Sequence, residues 1–78
     1  MRKWYVEKEL ALLVESQAAR EFLVQRTEDG ERWMLSTRIG IRWVPVRSKR
    51  EELRTWASLD TLERFAAGIG IKVLSVEL

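Results

Sequence analysis

A chain of 78 residues with fourteen basic and twelve acidic side chains, no cysteine and no histidine is already narrowly bounded. Its length allows one domain, residues 1–78, whose core supplies only a few kcal/mol, roughly 3–5. The two missing residue types exclude a disulfide framework, zinc–sulfur and histidine metal sites, and Ser–His or Cys–His nucleophiles.

No apolar run approaches the ~20 residues of a membrane helix. Glu7, Lys8 and Glu9 interrupt the N-terminal segment where a signal peptide would need an apolar stretch. The expectation is a soluble, cytoplasmic protein with no membrane association, of a size at which pairing into a homodimer is common. Four tryptophans in so short a chain act either as core ballast or as interface anchors.

In chain order, Trp4–Glu15 accepts two readings. Val6, Leu10, Leu13 and Val14 follow a helical period, whereas Leu10, Leu12 and Val14 alternate as in a strand. The β character of the neighbouring segment favours a strand over Glu9–Glu15, with a turn at Ser16–Ala19. Glu21–Thr37 is a hairpin. Asp29-Gly30 predicts a type I′ turn with positive φ at both residues. Centring there pairs Arg26 with Trp33, Val24 with Leu35 and Phe22 with Thr37. Phe22, Val24, Trp33 and Leu35 then share a core face, and Leu23, Gln25, Thr27, Arg32, Met34 and Ser36 share the other.

Ile39–Val46 is a shorter strand whose Pro45 cannot donate to a ladder, so it is an edge strand or a loop crossing the sheet. Arg47–Glu52 is a charged connection, and Leu53–Ala57 returns as a strand. A helix then runs from Ser58 to about Gly68. Ser58 is its N-cap and Asp60 complements the helix dipole. Leu59, Leu62, Phe65, Ala66 and Ile69 form its apolar stripe, and Gly68 and Gly70 bracket its exit. Ile71–Leu78 is a half-buried strand with Leu74, Val76 and Leu78 on one face. Trp33 and Trp56 fit the core, while Trp4 and Trp43 are expected to remain partly exposed.

Function classes narrow further. Gly68-Ile69-Gly70 ends a helix instead of opening one, so no backbone N–H groups converge on a phosphate. Glu28, Asp29 and Glu31 sit in a turn, and Glu51 and Glu52 sit beside cations, so neither group forms the converging carboxylates of a magnesium nuclease. The reading is therefore a protein that is not an enzyme, uses no cofactor and takes no small-molecule substrate.

Binding remains. From Arg38 to Arg54, six basic residues face two acidic ones, and over the whole chain arginine outnumbers lysine ten to four. The guanidinium fork suits phosphate and guanine edges, and tryptophan and arginine are over-represented at protein hot spots. A solvated loop or a blunted sheet edge also accounts for such arginines. The contact surface assigned on these grounds comprises Arg38, Arg42, Trp43, Arg47, Lys49, Arg50 and Arg54, facing a protein complex or DNA.

Arg54-Thr55-Trp56, Ser58-Leu59-Asp60-Thr61-Leu62, Phe65 and Gly70-Ile71, together with the EFLVQRTEDGERWMLSTR stretch, resemble the small ParC-type partition-associated proteins of plasmids and integrative elements. The resemblance covers about half the chain, and Ile39–Leu53 departs from it. It implies a gene of a mobile element with an accessory role in maintenance, and it carries over no functional residues. Small inhibitors of host defence complexes, anti-CRISPR proteins among them, come from the same setting and likewise act by occupying a surface. The expected fold is an α+β domain of order β-β-β-β-α-β: an antiparallel sheet of four to five strands with the C-terminal-half helix packed on one face.

Overall fold

The computed structural model describes residues 5–48 and 53–78. It is an α+β domain in the order β1 (Tyr5–Val6), α1 (Glu7–Glu15), β2 (Phe22–Arg26), β3 (Trp33–Ile39), β4 (Arg42–Arg47), β5 (Thr55–Trp56), α2 (Leu59–Gly68) and β6 (Ser75–Glu77). The strands lie in the order β1-β4-β3-β2-β6, with β5 also pairing β3.

The central hairpin has the expected register: Arg26 faces Trp33, Val24 faces Leu35 and Phe22 faces Thr37. Its turn is not type I′, because only Gly30 has positive φ, at +75°. The Gly30 N–H instead donates to the Thr27 carbonyl at 2.8 Å, and the Thr27 N–H to the Arg32 carbonyl at 2.9 Å. Asp29 stabilises this wider loop by accepting from the Thr27 hydroxyl at 2.6 Å and the Glu31 N–H at 2.9 Å. Those bonds favour its ionised form and hold its carboxyl below the usual aspartate range. A second hairpin comes next. Ile39 faces Arg42 across a two-residue loop in which Gly40 has φ +64°, the glycine-first pattern of a type II′ turn.

The first segment is a helix, not the strand expected over Glu9–Glu15. Glu, Lys, Leu and Ala are good helix formers, and the stripe Leu10, Leu13, Val14 turns inward while Leu12 is left outside, 60% exposed. Glu9 accepts the Val6 N–H at 3.3 Å, half of a capping box. Gln17, at φ +64°, ends the helix in the left-handed region.

The sheet is mixed, not wholly antiparallel: β1 pairs parallel with β4, and β6 parallel with β2. Parallel strands require a crossover, and the two helices supply one each. Both units, β1-α1-β2 and β5-α2-β6, step in the same direction across the sheet. The right-handed rule therefore puts both helices on the same face. Leu10 of α1 and Leu62 and Ala66 of α2 accordingly join Phe22, Val24, Trp33, Leu35, Val46, Trp56 and Ile71 in one core cluster.

Helix α2 is capped as its sequence predicts, with the Thr61 N–H donating to Ser58 Oγ at 3.2 Å. At its end, Ile71 N–H donates to the Ala66 carbonyl and Gly70 N–H to the Ala67 carbonyl, with Gly70 at φ +94°. This is a Schellman motif, whose apolar contact is made by the buried Ile71 and Ala66. The final strand is shorter than Ile71–Leu78. It covers Ser75–Glu77 at the sheet edge, with all three residues exposed.

Between β4 and β5 the chain leaves β3 and returns, since β4 pairs Ser36–Ile39 and β5 pairs Trp33 and Met34. The excursion is closed by the Arg54 N–H donating to the Val46 carbonyl at 2.9 Å. Pro45 sits inside β4 opposite Ser36, and pairing with β1 starts one residue later, at Val46.

Candidate nucleic-acid and protein interface

Strand alternation sorts the sheet into two faces. The core face lies under the helices. No described element crosses the other face, and its rows are set by the register. Pro45, Ser36, Leu23 and Ser75 form one row across β4, β3, β2 and β6. Thr55, Met34, Gln25 and Glu77 form the next. Trp43 and Arg38 face each other at the far end, where the Arg38 N–H also donates to the Glu21 carbonyl.

Trp43 is the exposed aromatic residue at this end of the open face, 45% exposed. It lines a hollow of about 250 Å³ at the end of the sheet together with residues 20–23, which lead into β2, and 73–75, which lead into β6. Ser36, in the neighbouring row of the same face, is only 4% exposed. Leu23, Met34 and Pro45 are half-buried on the same face.

Arg38 lies beside it, and Arg47 and Arg32 lie farther along the same face. Arg38, the cross-strand neighbour of Trp43, donates from Nε to the Gly40 carbonyl at 3.1 Å and lies 3.6 Å from Glu21. Arg47 closes β4 on the same face and donates from Nε to the Ser48 carbonyl at 3.2 Å. Arg32 was not among the assigned contact residues. It donates from Nε to Thr55 Oγ1 at 2.7 Å and from Nη2 to the Thr55 carbonyl at 3.2 Å, which fixes β5 to the hairpin. Its signal was in the hairpin register, which already put Arg32, Leu23 and Met34 on the non-core side.

The remaining assigned residues separate. Arg42 begins β4 opposite Ile39, on the core side of the alternation, and is exposed. Lys49 and Arg50 lie outside the described residues, as do Glu51, Glu52 and Trp4. Arg54 is engaged within the fold. It ion-pairs with Glu7 of α1, and its guanidinium lies 4.9 Å from the Trp56 ring and 5.7 Å from the Phe65 ring. Trp33 and Trp56 face each other inside the core as expected, with Arg26 lying 4.4 Å over Trp33.

No helix among the described residues is long and apolar enough to cross a membrane. Comparison with protein-family models, with curated proteins and with solved structures found no match.

Proposed function

We propose that this chain is a non-catalytic, cytoplasmic accessory protein of a mobile element that works by contact through the open face of its sheet. The contact we favour is with a nucleic-acid strand. The observation that carries the reading is Trp43, 45% exposed on a sheet face that no described element crosses, with Arg38 opposite it and Arg47 on the same face of its strand. Aromatic side chains on open sheets stack unpaired bases, and nearby arginines hold phosphates. The mobile-element setting rests on the resemblance of Arg54-Thr55-Trp56, Ser58–Leu62 and Gly70-Ile71 to partition-associated proteins.

One observation supports a second reading. Leu23, Met34 and Pro45 extend the apolar centre beyond what one base would cover, and an apolar centre with an arginine rim suits a protein surface. On that reading the chain inhibits a host defence complex by occlusion.

A pulldown from host lysate separates the two, with wild type and Trp43→Ala as baits and with and without nuclease. Partners lost both on nuclease treatment and with Trp43→Ala are the expected result. Partners that survive nuclease but are lost with Trp43→Ala select the protein reading. Partners indifferent to Trp43 refute the open face as the contact surface.

A further inference from the structure

The open face does not account for the C-terminal edge of the sheet. Val73, Val76 and Leu78 are 80%, 40% and 95% exposed, the densest run of exposed apolar side chains in the described chain. Val73 and Val76 border a groove of about 420 Å³ between α2 and residues 71–76, lined mainly by Leu59, Leu62, Ala66, Ala67 and Leu74, with Glu63 and Lys72 as its charged residues. Strand β6 pairs with β2 on one side and leaves its other backbone edge without a strand neighbour among the described residues. Exposed edges are normally blunted by lysine, proline or a bulge. Leu74-Ser75-Val76-Glu77-Leu78 holds neither lysine nor proline, and its single charged side chain is Glu77.

We infer that this edge is a homodimer interface, in which β6 pairs antiparallel with β6 of a second copy about a two-fold axis through Val76. The occupant is indicated by the polarity of the strand, which reads the same in both directions about its centre: apolar, polar, apolar, polar, apolar. A two-fold interface needs such self-complementarity. The Val76-centred register sets each Glu77 opposite a Ser75, whose hydroxyl donates to the carboxylate, and keeps the two acids off each other. A register centred on Glu77 would set like charges face to face, which is destabilising. In the Val76 register, Leu78 of each copy lies opposite Leu74 of the other, beside the groove next to α2. An axis perpendicular to the sheet keeps both pairs of helices on one side. The two open faces then join into one platform of twice the width.

Sedimentation of the full chain tests this directly. Wild type should show a concentration-dependent dimer, and Val76→Lys should sediment as a folded monomer. Because the chain has no cysteine, Val76→Cys gives a second readout. Residues facing each other across an antiparallel pair have Cα atoms about 4.5–5.5 Å apart, within disulfide reach. Val76→Cys should therefore become a covalent dimer under mild oxidation much faster than Ile41→Cys, an equally foldable exposed control. A wild type that stays monomeric across the concentration range overturns the inference. So does a dimer that Val76→Lys leaves intact, or equal cross-linking by the two cysteine variants.

Discussion

Arg54 and Arg38 are both arginines of the basic segment, yet their surroundings give them different work. Arg54 joins Glu7 to the Trp56–Phe65 pair, whose ring centroids are 5.1 Å apart. Arg54→Ala should therefore destabilise the fold by about 1–2 kcal/mol, a partly exposed ion pair plus cation–π contacts. Urea denaturation measures this, and a double-mutant cycle with Glu7→Gln isolates the ion pair. Arg38→Ala should instead leave stability nearly unchanged and weaken binding. Asp29 supplies a pH signature. Its folded pKa lies below the ordinary value of about 3.9, because its ionised form accepts the Thr27 hydroxyl and the Glu31 N–H. Its contribution is complete above the unfolded value and is lost as pH falls through the folded one. Thermal midpoints measured progressively into acid should fall less for Asp29→Asn than for wild type.

Among the elements, α2 carries its instructions locally. Ser58→Ala should cost about 1 kcal/mol through the lost cap. Gly70→Ala should cost about 1–2 kcal/mol, because an L side chain is disfavoured at φ +94°. Leu62→Ala should cost about 2–5 kcal/mol, since that side chain is fully buried beneath the helix. Chemical denaturation of the three variants ranks them. The same locality made this helix and the central hairpin readable from sequence, where cap, glycine stop and alternation all agreed. Helix α1 was not, because Leu10 and Val14 satisfy both periods and only Leu12 and Leu13 separate them. The structure decides by turning Leu13 inward and Leu12 outward. The type II′ loop at Gly40-Ile41 was hidden for a related reason. The apolar run Ile39–Val46 reads as one strand unless its single glycine is given weight as a turn.

For the whole molecule, the decisive feature is that both helices cross over on one side. Residue patterns gave the correct faces for the β2–β3 hairpin, and with them the open side. The parallel placement of β1 and β6 left no local signal, because it depends on crossover handedness and not on any one residue. The candidate site was legible in part: Trp43 and Arg38 meet across β3 and β4 as neighbours. Arg54 is taken up by Glu7, Trp56 and Phe65, and Arg32, Leu23 and Met34 join the surface through register.

The proposed role of the open face is to bind a nucleic-acid strand through Trp43 and its arginines. The most direct test is fluorescence titration with a single-stranded oligonucleotide at several salt concentrations, using wild type, Trp43→Ala and Arg38→Ala. Quenching with an affinity that falls steeply with salt is the predicted result, lost in Trp43→Ala. In Arg38→Ala the slope of log affinity against log salt should drop by about 0.7–1. An affinity unchanged by Trp43→Ala, or absent in wild type at low salt, would contradict it.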